Sequence, residues 1–420
     1  MALVIIKFER KFLRPMIAAS VVLCLIGGWY FAKWNFANAV SMRADTREIA
    51  DLGVEMAPGD PQTHFAAAVV YEKTFDPGDL TRSLNEYETV AALSPNNYIS
   101  WLELGRARER NGDAPGAETA FLRALDLAPN YADVQWAYGN LLIRQGHLAE
   151  GLAQIRVAYV AKPEYVNPAA ITAMTLFDGD AAKARDALGG TPDLNAALAA
   201  LELSSKRYGE AVASWDLIPA DEKLSKFKAA GETLSGRLAD ARQFRLASHI
   251  INTIWDGDGP VTGSILNGGF ESQIKLNDAR LFDWQISPGA EPQIGLNDEQ
   301  KHGGGYSLFM KFNTMQAADF RSFSQTVAVE PGKAYSLEGF YRANLKGTIA
   351  WEIVDAAAGK SLAKSMAING ASDWTAFRIN FTTPADVDGV IIRLIRDGCA
   401  SPVCPISGKV WFDDFTLGRQ

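Results

Sequence analysis

The sequence predicts a multidomain chain, α then β: an N-terminal transmembrane helix, an α-solenoid of repeated hairpins, and a C-terminal β-sandwich. Three observations carry that prediction. An uncharged apolar run lies near the N-terminus, a 34-residue recurrence of small and aromatic positions fills the middle, and beyond residue 255 helical spacing yields to short alternating runs bounded by Gly, Pro, Asn and Asp. The changes of pattern place a cytoplasmic stub and anchor at 1–36, a linker and capping helix at 37–63, the repeats at 64–255, a second linker at 256–263 and the sandwich at 264–420.

With 420 residues the chain is long enough for two or three folded units, each with its own core. It carries 41 Lys+Arg against 49 Asp+Glu, a net charge of -8. That balance argues against nucleic acid as a partner, because affinity for a phosphate backbone comes largely from Lys and Arg. Three cysteines are too few for a disulfide scaffold.

The anchor is the uncharged stretch at residues 15–32, eighteen residues long. At 1.5 Å per residue it spans roughly 27 Å, close to the thickness of a bilayer core. Trp29, Tyr30 and Trp34 fall at one interface. Lys7, Arg10, Lys11 and Arg14 precede the stretch, opposed by Glu9, and Lys33 alone follows closely. The positive-inside bias keeps that end cytoplasmic and places the acidic bulk on the other side. The alternative is a cleaved signal peptide ending at Ala37-Asn38-Ala39, against which stand the length of the apolar run and the interruption by Lys33 and Trp34. Cys24 lies within the span. Cys399 and Cys404 are five apart in CASPVC, where Pro402 can turn the chain so that they pair as a disulfide in an oxidising compartment. Two metal ligands are the other reading, and it lacks the second Cys or His pair of a tetrahedral site.

The clearest repeat runs from Tyr98 to Tyr131 with Trp101, Leu104, Gly105, Ala117, Phe121, Ala124 and Pro129. One period on stand Tyr138, Gly139, Gly151, Ile155, Ala158 and Pro163, and one period back stand Val70, Tyr71, Ser83, Tyr87, Val90 and Pro95. Small residues let two helices approach, Phe121 fills the gap between them, and the proline begins the next unit. Worn copies continue from Leu194 through Tyr208, Ala211 and Trp215, and from Ala229 to Trp255, for five or so hairpins. This spacing resembles the tetratricopeptide repeat. The resemblance implies a right-handed arc whose first helices line a groove for a peptide or protein partner. The repeat phase assigns Phe65 and Phe75, then Leu102, Arg106 and Arg110, then Trp136, Asn140 and Arg144 to that groove, along with Glu72, Glu109 and Ile143. The alternative is that Trp136 and Ile143 pack on a neighbouring helix.

Seven strands are predicted in the last third: Tyr306 to Phe312, Arg321 to Val329, Ala334 to Arg342, Thr348 to Val354, Trp374 to Thr383, Gly389 to Arg396 and Lys409 to Leu417. Asn267-Gly268-Gly269-Phe270-Glu271, Trp284, His302-Gly303-Gly304-Gly305-Tyr306, Pro331-Gly332-Lys333-Ala334-Tyr335, Trp374-Thr375-Ala376-Phe377 and Val410-Trp411-Phe412-Asp413-Asp414 follow in an order that resembles galactose-binding-like jelly rolls, in particular carbohydrate-binding modules. That resemblance implies a structural Ca²⁺ held by Glu271 and Asp414 with Asp413. The alternative is that Asp413 and Asp414 cap a strand while Glu271 faces solvent. Strand alternation puts Phe340, Arg342, Glu352 and Arg393 on one outer sheet surface, where an aromatic plate and planar polar groups suit a sugar ring. A solvated face with salt bridges is the alternative. A run of exposed Trp or Tyr on adjacent strands is not expected.

His64, His147, His249 and His302 are scattered, and no nucleophile elbow, zinc-protease helix or phosphate loop appears. The chain therefore reads as no enzyme. The expected role is a periplasmic adaptor anchored in a bacterial inner membrane, acting in assembly or export of a cell-surface polysaccharide. Its groove would hold a protein and its sandwich a glycan. The alternative is a pure protein-interaction scaffold in secretion or envelope-complex assembly.

Overall fold

The computed structural model describes residues 10–420 except 256, 258 and 400, and side chains from Arg14 onward. Lys7 and Glu9, counted above toward the anchor's orientation, lie outside the described residues, as do the side chains of Arg10 and Lys11. The chain forms two compact units, Met1–Gly189 and Gly190–Gln420.

The first unit opens with α1 (Arg10–Ser41), whose stretch Arg14–Ser41 contains an 18-residue window of mean hydropathy 1.8 and is long and apolar enough to cross a membrane. Its last turn behaves differently from the rest. Ala37 is wholly buried, and α1 packs there on α2 (Arg47–Met56) and α3 (Pro61–Glu72). The Asn38 amide donates to the Asp60 carboxylate. Asp60 also caps α3, accepting from the Gln62 N–H at 3.0 Å, with Pro61 in the first turn where its missing N–H costs nothing.

Then α3 pairs with α4 (Pro77–Leu93), α5 (Tyr98–Arg110) with α6 (Ala114–Leu127), α7 (Ala132–Arg144) with α8 (Leu148–Ala161), and α9 (Val166–Leu176) with α10 (Ala181–Leu188). The last of these hairpins has no counterpart in the expectation from sequence. Its buried face is mostly alanine, Ala169, Ala170, Ala173, Ala181 and Ala184 with Val166, Met174 and Leu188, without the aromatic that marks the other units. The expected small positions are where helices touch. A Cβ on Gly105 would stand 2.5 Å from the Phe121 ring, one on Gly139 would stand 2.8 Å from the Gly151 carbonyl oxygen, and one on Gly151 2.7 Å from that of Gly139.

The second unit joins helices to sheet. It begins with α11 (Pro192–Ser204), α12 (Tyr208–Asp216), the short α13 (Ala220–Leu224), α14 (Lys228–Asp240) and α15 (Phe244–Thr253). Their core, with Trp215, Leu238 and Ile250, also takes in Phe282 and Ala328 from the β region. The Arg245 backbone N–H donates to Asp388 at 2.9 Å, and its guanidinium pairs with the same carboxylate. The Ser248 hydroxyl donates to the Pro260 carbonyl at 2.8 Å. Packing therefore runs across residues 256–263, where a linker was expected, because α15 needs the sheet to cover its apolar face.

The strands are β1 (Gln285–Ile286), β2 (Gln293–Asn297), β3 (Ser307–Gln316), β4 (Phe323–Ala328), β5 (Ala334–Asp355), β6 (Ser361–Lys364), β7 (Ile368–Thr382), β8 (Gly389–Arg396) and β9 (Val403–Arg419). They hydrogen-bond in the order β1-β4-β8-β5-β9-β3-β2, all antiparallel, with β6 and β7 also on β5. The two strands expected at Ala334–Arg342 and Thr348–Val354 are one. Its first half lies between β7 and β9 and its second between β6 and β8, with the change at Leu345–Ile349, where Gly347 has φ 110. This strand turns the sheet into a sandwich. The layers meet through aromatics: Trp351 on the second half lies 5.2 Å from Phe412 and 5.0 Å from Phe415, edge to face.

The backbone contact at Gly139 and Gly151 leaves no flexible atom to give way. Gly151→Ala is expected to destabilise the first unit by about 1–3 kcal/mol, whereas Gly209→Ala in α12, with nothing within 4 Å of the new methyl, should be neutral or stabilise by up to about 1 kcal/mol. Thermal unfolding of the full chain followed by circular dichroism checks the contrast.

Candidate functional site

The groove residues of the first unit are largely occupied with one another. Arg106 pairs with Glu103 at 2.7 Å, Arg110 with Glu72 at 2.8 Å, and Arg144 with Glu109 of the preceding repeat. Trp136 stacks on Tyr165 at 4.6 Å and 8°, and the Asn140 amide donates to the Trp136 carbonyl at 2.8 Å. Phe65 packs edge-on against Tyr87 at 5.8 Å. Two assignments are corrected. Leu102 is buried with Ala117, Phe121 and Ala124, because its turn of α5 faces the partner helix. Phe75 lies beyond the end of α3 in the turn to α4, with φ 55 and 81% exposure, because α3 stops at Glu72 and the repeat phase breaks there.

In the sandwich, Glu271, Asp413 and Asp414 surround the turn Gly303-Gly304-Gly305. The Glu271 carboxylate accepts from the Gly305 N–H at 2.9 Å and the Tyr306 N–H at 3.3 Å. Asp413, wholly buried, accepts from the N–H groups of His302 at 2.8 Å, Gly303 at 3.1 Å and Asp414 at 2.8 Å. Asp414 meets the His302 Nδ1 at 2.7 Å. Burial pushes the Asp413 carboxyl up despite those three donors, and the neighbouring Asp414 adds to the push.

The carboxylates do not fit the calcium expected from the resemblance. Hard oxygen donors must point at a common centre, and here those of Glu271 and Asp413 point at backbone N–H dipoles while that of Asp414 meets the His302 imidazole. Among the described residues no three His, Cys, Asp or Glu side chains form a group that could hold a metal ion. Glycine is required at the turn itself: Gly304 has φ 56, and a Cβ there would lie 1.8 Å from a Glu271 oxygen.

What the carboxylates hold in place is His302. Its ring stacks on Phe340 at 3.7 Å and 15°, with Trp374 edge-on at 5.6 Å. Phe340 and Arg342 point out of the layer formed by β7, the first half of β5, β9, β3 and β2. Arg342 is the register partner of Trp411, and Trp411 of Phe309. Directly paired residues share a face, and the Phe309 and Trp411 rings lie 5.3 Å apart. Val410 and Phe412 point inward and are buried, which leaves Trp411 outward and half-buried. Gln300 Oε1 accepts from Arg342 at 2.5 Å, and Asp373 stands 3.7 Å from it. Trp374, Phe340 with His302, Trp411 and Phe309 thus form an aromatic row across β7, β5, β9 and β3. The row interleaves two half-buried Trp with Phe and His, so it is not the run of exposed Trp or Tyr on adjacent strands whose absence was expected from sequence.

Glu352 and Arg393 do not belong to that surface. They are register partners on the second half of β5 and on β8, in the other layer. Arg393 donates to Glu352 from Nε at 2.9 Å and from Nη2 at 2.7 Å. Burial pushes the Glu352 carboxyl up, but hydrogen bonds from Ser361 and Arg393 outweigh it and hold the group below the usual range. Alternation fixed which side of a strand each residue takes; the layer depended on the crossing of β5. Cys399 and Cys404 are disulfide-bonded, with Cα atoms 5.8 Å apart.

With this geometry in place, known families can be compared. The tetratricopeptide repeat family matches residues 75–132 and 108–166, and the carbohydrate binding domain family matches residues 262–397. The chain carries tetratricopeptide repeats and a carbohydrate-binding domain. Both are binding modules. Among solved structures, the subject of "CBM4 structure and function" is 19% identical, covering 37% of this chain and 99% of that one, with a TM-score of 0.29. TmCBM61 in complex with β-1,4-galactotriose is 18% identical with the same coverage and a TM-score of 0.28. A putative sugar binding protein from Bacteroides thetaiotaomicron is 12% identical, again over 37% and 99%, with a TM-score of 0.28. The tRNA(Glu)-specific nuclease WapA of Bacillus subtilis subsp. natto is 30% identical over 111 residues, which is 24% of this chain. The chain spans only 4% of that curated relative's length.

Arg393→Ala would leave a buried Glu352 without its guanidinium, and is expected to lower the stability of the second unit by about 1–3 kcal/mol near neutral pH. A depressed carboxyl pKa stabilises above the unfolded value of about 4.3 and loses that contribution as the pH falls through the folded value. Denaturant melts between pH 7 and 3 should therefore show the variant and parent converging on the acid side.

Proposed function

We propose that this chain is a non-catalytic adaptor, anchored in a bacterial inner membrane with its bulk in the periplasm. In that role it serves assembly or export of a cell-surface polysaccharide, binding a protein through its repeats and glycan through its sandwich. One observation carries the glycan reading. Phe309, Trp411, Phe340 with His302, and Trp374 form a row across four strands, roughly 14 Å at about 4.8 Å per strand, the length of about three pyranose rings. Aromatic faces meet the apolar faces of such rings, while the Arg342 fork and the Gln300 amide beside them offer hydrogen bonds to hydroxyls.

Retention of the anchor is supported by the end of α1. The cleavage site of the alternative signal-peptide reading, Ala37-Asn38-Ala39, lies inside a helix whose Ala37 is buried and whose Asn38 holds Asp60, so cutting there would remove the helix that covers α2 and α3. The basic residues before the span support a cytoplasmic N-terminus. Pairing among groove arginines and glutamates supports a partner chosen by shape and mixed polarity rather than by charge of one sign.

The full chain, purified in a polyoxyethylene detergent to avoid sugar headgroups, is expected to be retarded in native gels containing its polysaccharide. Trp411→Ala or Phe340→Ala should weaken retention about tenfold, equivalent to about 1.4 kcal/mol, while Arg393→Ala leaves it unchanged. Absence of retention on any polysaccharide, including those of the source cell, would leave the pure scaffold. Mass spectrometry of protein extracted from membranes should find residues preceding Ala39 still attached.

A further inference from the structure

The aromatic row has a neighbour on the same outer face. Two residue pairs along the ladder from Phe309 and Trp411, Lys311 on β3 and Lys409 on β9 are direct register partners. On its other side Lys409 faces Asn344 of β5, and Lys346, two residues on, partners Ser407. Residues two apart on a strand share a face, and the pairing is unbroken through these positions, so Lys311, Lys409 and Lys346 all project from the face that carries Trp411. All three are exposed. The lysine ion pairs among the described residues involve Lys162, Lys183, Lys223, Lys226, Lys275 and Lys364, and none of these three.

Like charges directly opposite on a sheet repel, with Cβ atoms about 5 Å apart. A chain of net charge -8 has nevertheless set two lysines side by side, with a third on the diagonal and no carboxylate paired to them. Arg342, within the aromatic row, adds a fourth cation. Its partner Asp373 stands at the longer 3.7 Å and is 85% exposed.

We infer that the glycan taken by this face is acidic, a polysaccharide bearing ring carboxylates such as uronic acids. This rests on the reading of the aromatic row as a sugar platform and names the class of sugar. Rings stacked on Trp411 and Phe309 lie about 7 Å, two strand residues, from the Lys409 and Lys311 backbones. A lysine's four-carbon stem spans that distance to a carboxylate on the ring. A neutral polymer would leave the lysine pair facing itself.

The test uses the full chain in a polyoxyethylene detergent and calorimetric titration with tetramers of galacturonate, mannuronate and glucuronate, each beside its carboxyl-reduced neutral counterpart. At low salt at least one uronide should bind about tenfold more tightly than its neutral counterpart, the gap closing to about twofold in 0.5 M salt as screening shortens the reach of the exposed charges. The double variant Lys311→Ala/Lys409→Ala should lose about fivefold for the uronide and nothing for the neutral tetramer, whereas Trp411→Ala should weaken both. Neutral tetramers bound as tightly as uronides, or a lysine variant that binds uronide unchanged, would overturn the inference while leaving the sugar platform intact. Binding of no tetramer would remove the platform reading as well. Equal affinity for anionic phospholipid vesicles would show a charge surface without sugar recognition, and would equally overturn it.

Discussion

A helical hairpin leaves one apolar face that only a neighbour can cover, and each unit is organised by how its terminal face is covered. In the first unit the cover is the last turn of α1 with α2, so the helix able to cross the membrane is also the piece that closes the repeats. In the second unit the cover is the sheet. Phe282 and Ala328 enter the core of Trp215 and Ile250, and Phe244 lies on Gly389, where a Cβ would come within 2.5 Å of its ring.

That choice decides which side of the sandwich is free. The layer built on β4, β8 and the second half of β5 receives α15, and its outward residues Ala350, Glu352 and Val354 are buried. The opposite layer keeps its outer face open, with Phe340, Trp411 and Phe309 half-buried rather than covered. The carboxylates behind this face serve it at one remove. By taking up the N–H groups of the glycine turn, Glu271 and Asp413 fix the loop that lays His302 on Phe340. The Asp413 carboxyl is pushed above its ordinary value because three N–H dipoles only partly replace the water it has lost.

Features set by local spacing were legible in the sequence. Gly105 against Phe121 and Gly139 against Gly151 follow from the period of the repeat, and the disulfide from five residues of separation around a proline. Features set by topology were not. Alternation told that Phe340 and Glu352 both point outward, but not that β5 changes layer between them. Trp411 was within reach: Val410 and Phe412 inside require Trp411 outside, and its place within a longer motif hid that. The motif could not say whether Glu271 and Asp413 meet a cation or backbone N–H groups, because the turn at Gly303–Gly305 that supplies the donors is distant in sequence. The hairpin of α9 and α10 escaped because its buried face is mostly alanine, with Val166, Met174 and Leu188, and carries no periodic aromatic.

The two units treat positive charge in opposite ways. The groove arginines Arg106, Arg110 and Arg144 are each tied to a glutamate on the same or the preceding unit, so their charge is spent on joining neighbours and offers little net field to a ligand. An exposed pair of this kind contributes little stability, about 0.2–1 kcal/mol, yet it removes an arginine's freedom to seek another anion. Lys311, Lys409 and Lys346 have no such tie, and their ladder positions hold them together against their own repulsion. On the proposed reading, charge-based selection would therefore belong to the sheet, and recognition by the repeats would fall to shape and to the stacked Trp136 and Tyr165.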